Sequence, residues 1–182
     1  MKKWKYYNHA MIPMAAPHEE IDVEPNKKFW KDNKKALFAR WTSEFDCGYE
    51  TNWWYVIKDE PFDITTLKSS YRYKINKGIR NFDVRVINPI DYIDELLDIF
   101  IEAFASWPAK YRPQFTYGDA KELAQKLSID PTMICFGAFY RETGELCGFM
   151  QAPTYETYTE LQVQRVIPAY EKLQINAALV YG

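Results

Sequence analysis

The sequence predicts an α/β protein (α+β in some schemes) built on a mixed, mostly antiparallel sheet flanked by helices. Three observations carry that expectation. From residue 64 onward the periodic segments run helix, strand, helix, helix, three strands in a meander, helix. The helical segments place apolar residues at spacings of three and four, while the strand segments are short and rich in aromatic and β-branched residues. The chain is 47% hydrophobic and 26% charged, a composition able to build a core.

In chain order, residues 1–35 mix lysines, prolines and aromatics without a period and read as an extended segment lying on a partner surface. Lys35–Trp41 and Asn52–Lys58 are strand candidates joined by a turn at Asp46 and Gly48, and an antiparallel pair is expected. Residues 1–60 are thus an N-terminal extension with a strand pair, and 61–182 the main domain. Asp63 is placed to cap a helix over Ile64–Lys77, with apolar Ile64, Leu67, Tyr71 and Ile75 and a stop at Gly78. A strand over Asp83–Ile87 follows. Asn88 and Pro89 then open a helix whose stripe is Ile93, Leu96, Leu97, Phe100 and Phe104. A shorter helix spans about Gly118–Leu127. Cys135–Arg141 and Glu145–Gln151 form a hairpin around Glu142–Gly144, Tyr158–Ile167 pairs next, and Pro168 leads into a last helix near Ala169.

Composition narrows the function classes. Net charge is −2, which exerts no general pull toward DNA or an anionic membrane. Residues 1–40 net +4 and the remainder −6, an asymmetry that fits a solvated basic extension. Cys47, Cys135 and Cys147 are far apart and form no C-x-x-C pair, and His9 and His18 are remote from them, so no metal is expected. Free thiols fit a reducing compartment, and cytoplasm is the expected location. The N-terminus lacks a continuous apolar stretch, and no run approaches the ~18–20 apolar residues that cross a bilayer.

The element order, with the ending RVIPAYEKLQINAALV, resembles the GNAT acyltransferase superfamily over about Asp83–Gly182. The resemblance implies transfer of an acyl group from acyl-CoA to an amine, such as a small-molecule amine, an amino sugar or a cell-envelope precursor. It also implies a pyrophosphate held at a helix N-terminus, where unpaired N–H groups and the dipole favour anions. The residues implicated are Val166, Ile167, Lys172, Leu173, Gln174, Ile175 and Asn176. The superfamily favours Q/R-x-x-G-x-G/A here, whereas Gln174 and Asn176 fill both glycine positions and Glu171 leads the motif. Lys172 is placed to supply a point charge for phosphate. Glu160 is the candidate general base, with Glu156 a substitute; alternation puts Glu160, Gln162, Gln164 and Val166 on one face, and an exposed strand glutamate is the alternative.

The segment LKSSYRYKINKGIRNFDVRVI resembles FemAB-type relatives, which take aminoacyl-tRNA as donor, on Lys68, Arg72, Ile75, Lys77 and Gly78. The basic set Lys68, Arg72, Lys74, Lys77 and Arg80 either holds a phosphate-bearing substrate or is a solvated helix face. Trp53 and Trp54 are candidates for a sugar platform. A non-catalytic GNAT-like binding module is the third reading. By comparison with a complete GNAT domain the chain is expected to be a fragment ending inside the last helix, with an uncovered sheet edge that favours dimers.

Overall fold

The computed structural model describes residues 4–21, 25–43, 47–49 and 58–182, which fall into two compact units, Met1–Phe62 and Asp63–Gly182. In the first unit β1 (Trp4–Tyr7) and β2 (Ala10–Pro13) form an antiparallel hairpin with Tyr7 opposite Ala10. The two-residue turn between them, Asn8 and His9, has φ of 44° and 65°. Positive φ at both positions is what a primed turn matching the strand twist requires. A short helix α1 (Lys27–Asp32) follows, and its cap Asn26 accepts from the Phe29 N–H at 3.0 Å. Trp4 packs edge-on against Phe29 and Trp41, with centroids 5.1 and 6.0 Å away.

This unit differs from the sequence reading. Residues 1–35 include a hairpin and a helix, elements of four to six residues that are too short to display a period. The strand expected over Lys35–Trp41 shrinks to β3 (Phe38–Ala39), and it pairs in parallel with β2. Its expected partner over Asn52–Lys58 lies outside the described residues but for Lys58, as do Trp53 and Trp54.

The second unit is a four-stranded antiparallel sheet in the order β4 (Phe82–Val86), β5 (Met133–Tyr140), β6 (Leu146–Pro153), β7 (Val163–Val166). Helices α2 (Ser69–Asn81) and α5 (Ile175–Tyr181) cover one face; α3 (Ile93–Ala105) and α4 (Tyr117–Ile129) cover the other. The expected fold class is therefore the observed one.

Two cores explain the arrangement. On the α3–α4 face, Leu96, Ile99, Phe100 and Phe104 meet Cys135, Phe139, Leu146 and Phe149. On the α2–α5 face, Phe82, Ala138, Cys147, Met150 and Val166 meet Ile175, Ala178 and Leu179. A strand buried on both faces needs a near-continuous apolar run, and every residue of β6 is buried. Each fully buried aliphatic contributes about 1.5–3 kcal/mol. The register shifts between Ala138 and Phe139, which pair with Gly148 and Leu146, so Cys147 is an extra residue on β6.

Helix boundaries follow local chemistry. Asp63 caps a single 3-10 turn, Ile64–Thr66, by accepting from the Thr65 N–H at 2.8 Å. Leu67 is then extended, so the expected helix over Ile64–Lys77 begins only at Ser69 and continues past Gly78 to Asn81. Thr116 and Asp119 form a reciprocal capping box that starts α4. A proline at the first position of the 3-10 turn Pro89–Tyr92 leads into α3.

Gly78 does not stop its helix; it lets α5 come close. A Cβ there would lie 2.6 Å from the Gln174 carbonyl oxygen and 3.0 Å from the Ala178 nitrogen, both main-chain atoms with little room to yield. In an isolated helix Gly→Ala gains about 1 kcal/mol. Here Gly78→Ala is expected to lose about 1–3 kcal/mol from overpacking, measured by urea denaturation of the full chain. A gain in stability would show that the contact is not tight.

Candidate functional site at the end of β7

Strand β7 is the last strand of the sheet, and its outer side has no partner strand among the described residues. It ends at Val166, which is buried, and the Ile167 N–H still donates to the Cys147 carbonyl at 2.9 Å. The chain then departs from the expected continuous helix. Pro168–Leu173 is a 3-10 segment, Gln174 is left-handed at φ 67° and ψ 38°, and α5 begins at Ile175. Two helical pieces of different pitch thus meet at one left-handed residue. The first-turn N–H groups of α5 belong to Ile175, Asn176 and Ala177, and no side chain caps them.

The implicated residues divide by environment. Lys172 and Asn176 are exposed, Leu173 and Gln174 are half-buried, and Ile175 is fully buried. Asn176 Oδ1 accepts from Gln164 Nε2 at 2.6 Å, so a β7 side chain is tied to the start of α5. The Gln174 carbonyl accepts from Ala178 N–H at 3.1 Å and is the atom against which Gly78 is packed.

Glu160 is not on the strand. Regular β7 starts at Val163, and Glu160 lies in the β6–β7 connection, its N–H donating to Pro153 O at 3.0 Å. The strand expected over Tyr158–Ile167 is therefore shorter, because Tyr155 and Tyr158 stack at 4.6 Å and close a local turn held by the Thr154–Thr159 bridge. In the chain Glu160 precedes β7 and the turn at Gln174 follows it. Burial, then the charges of Glu160 and Asp130, push the Tyr155 hydroxyl above its ordinary range. Glu156 is exposed in the same connection.

Two groups beside this strand escaped the sequence reading. Arg165 lies on the face opposite Gln164, a placement that alternation alone foretells. Tyr170 approaches Glu145 Oε2 at 3.3 Å, and Cys147 Sγ donates to the Glu145 main-chain oxygen at 3.3 Å. The hydrogen bond with Cys147 and burial hold the Tyr170 hydroxyl far above its usual range, which keeps it a neutral donor. Of the basic set, Lys68, Lys74 and Arg80 are exposed, while Arg72 donates to Thr65 O at 2.9 Å.

Among the described residues no group of three or more His, Cys, Asp or Glu could hold a metal ion, and no helix is long and apolar enough to cross a membrane. No protein-family model matches the chain, and no curated protein matches it significantly. Among solved structures, the PaiA N-acetyltransferase from Thermoplasma acidophilum in complex with coenzyme A is similar. It has 16% identity over 54% of this chain and 67% of its own, with a TM-score of 0.42.

Two predictions follow from local chemistry. A left-handed non-glycine residue costs about 1–2 kcal/mol, part of which glycine returns as unfolded-state entropy. Gln174→Gly is accordingly expected to raise the urea midpoint, equivalent to about 0.5–1 kcal/mol; an unchanged or lower midpoint contradicts it. Burial pushes the Cys135 thiol from 9.0 up to about 11 and raises Cys147 as well. Because the folded pKa is the higher one, the contribution is fully present below pH 9 and is lost as pH rises toward 11. The slope reaches at most about 1.4 kcal/mol per pH unit per thiol. Urea melts at rising pH should show that decline, and Cys135→Ala should flatten it.

Proposed function

We propose that residues 63–182 form an N-acyltransferase unit that moves an acyl group from acyl-CoA to an amine acceptor in the cytoplasm. The observation that carries this reading is the join between β7 and α5. An edge strand with no partner strand on its outer side among the described residues runs into a left-handed turn and the uncapped N-terminus of a helix. A pyrophosphate is proposed to take the N–H groups of Asn176 and Ala177, which are exposed and half-buried, with Lys172 as an added positive charge. The pantetheine arm then pairs with the outer side of β7, as a strand does in β-augmentation. Gln174 supports the same reading: it occupies the first glycine position of the resembled motif and adopts the positive φ that favours glycine.

In the reaction the acceptor nitrogen attacks the thioester carbonyl, the carbon–sulfur bond breaks and the thiolate leaves. The proton lost by the amine passes to Glu160, directly or through water, and the thiolate is reprotonated. Glu160 precedes β7 and the proposed phosphate site follows it in the chain, so an arm lying along the strand is proposed to carry the thioester toward Glu160. The acceptor is a small-molecule amine or amino sugar.

Calorimetric titration of the full chain with acetyl-CoA tests the donor site. Binding is expected to be weak, because side chains at positions 174 and 176 keep the phosphates away from the main chain. Lys172→Ala should weaken it further, and that loss should shrink as salt shortens the Debye length from about 10 Å at 0.1 M. Gln174→Gly should strengthen it. Aminoacyl-tRNA binding with no response to acetyl-CoA would move the donor to the FemAB-like class, and the exposed Lys68, Lys74 and Arg80 on and just before α2 favour a phosphate-rich ligand in that case. Binding of neither would leave a non-catalytic module.

A further inference from the structure

The first unit holds an open cavity of about 460 Å³ lined by Pro25, Trp30, Leu37, Phe38, Ala39 and Trp41. Leu37 and Phe38 are 78% and 51% exposed and the other four are half-buried, so the lining is open to solvent. The two tryptophans end a row of rings. Trp30 packs edge-on to Phe29 at 5.2 Å, Phe29 to Trp4 at 5.1 Å, and Trp4 to Trp41 at 6.0 Å. That row holds both indoles from behind, which orients them before any ligand arrives.

The chemistry around the cavity is one-sided. None of the six lining side chains carries a hydrogen-bond acceptor, and the two indole N–H groups can only donate. Lys27, Lys28, Lys31, Lys34 and Lys35 are all exposed, and each lies within three residues of a lining residue. Among the described residues no carboxylate pairs with any of these lysines. Residues 25–41 hold six lysines and arginines against one acid, Asp32. The net charge of −2 for the whole chain does not cancel this cluster, because salt screens exposed charges beyond about 8–10 Å.

A ligand that complements donors must bring acceptors, and one that fills an aromatic cavity must bring flat apolar faces. A single-stranded phosphodiester brings both: its backbone oxygens accept and carry charge, and its bases stack on aromatic rings. A sugar brings hydroxyl donors and a peptide brings main-chain N–H donors, and the lining side chains offer neither an acceptor. In a duplex the base faces are covered by their neighbours. We propose that this cavity binds single-stranded nucleic acid, with bases against Trp30, Phe38 and Trp41 and phosphates on the lysines of residues 27–35. The proposal concerns the first unit and stands apart from the acyltransfer reading.

Fluorescence anisotropy of a labelled short oligouridylate, titrated with the full chain at several salt concentrations, tests it. Saturable binding is expected, with an abasic strand of the same length about tenfold weaker and a duplex weaker still. Trp41→Ala should lower oligouridylate affinity about tenfold and leave the abasic strand unaffected. The triple change Lys27→Gln, Lys31→Gln, Lys35→Gln should reduce the slope of log affinity against log salt by about 2. Oligodeoxythymidylate separates the sources: a preference for either strand names RNA or DNA, and equal affinity names both. No binding, equal binding of the abasic strand, or an unchanged salt slope in the triple variant overturns the proposal. Displacement of oligouridylate by polyglutamate of matched charge also overturns it, in favour of an acidic protein. If Trp41→Ala does not fold, the comparison of oligouridylate with the abasic strand on the native chain decides alone.

Discussion

The missing side chain at Gly78 lets α2 lie directly against the Gln174 carbonyl and the first turn of α5. Much of the second unit depends on that approach. It fixes where the chain turns after β7, because the carbonyl pressed by α2 also begins the hydrogen bonding of α5 through Ala178. Gly148 plays the matching part from the sheet: a Cβ there would stand 3.0 Å from both Ile175 and Leu179. Helix α5 is thus held between two glycines, one on a helix and one on a strand. Its buried residues, Ile175, Ala178 and Leu179, are the ones that face them. The turn before α5, which has no capping side chain, is held in place by packing.

The second constraint is the double burial of β5 and β6. Helices on both sides bury every residue of β6 and half of those of β5, and half-buried polar side chains of the sheet lie on its edge strands. Gln164 and Arg165 are half-buried on β7, while Gln151 is the one buried polar residue of β6. The burial that makes the centre stable also makes Cys135 and Cys147 poor nucleophiles, because a thiolate is disfavoured where water is excluded. Chemistry at the edge and inertness at the centre are two results of one layering.

How far the sequence was legible follows from the length of each signal. The stripe of α3 and the hairpin β5–β6 were readable because each spans eight or more residues of one period. The N-terminal hairpin was not, because four-residue strands around Asn8 and His9 leave only a turn signal, and Asn-His is a weak one. Gly78 was read as a stop because local rules assign glycine to helix ends; its real partner, Gln174, is distant in sequence and close in space. The same limitation hid the left-handed Gln174, whose side chain gives no hint of positive φ. Tyr158–Gln162 looked like strand by alternation, but the Tyr155–Tyr158 stack and a bridge at Thr159 bent it away. For the candidate site, the sequence pointed to the segment after β7 by resemblance alone, while the break between the 3-10 segment and α5 and the unpartnered Nε of Arg165 came only with three dimensions.

The pairing of α2 with α5 also bears on the order in which the unit assembles. The hairpin β5–β6 closes over a few residues and is available early, whereas β4 must find β5 across two intervening helices. The α2–α5 face waits longer still, since the packing of residues 69–81 against residues 175–181 joins segments with almost the whole unit between them. Closing so long a loop costs entropy that no local contact returns beforehand. A nascent chain therefore holds Cys147, Met150 and Ala138 open on one side until α5 emerges. In that interval the half-built sheet is a natural client for a chaperone that binds apolar strands.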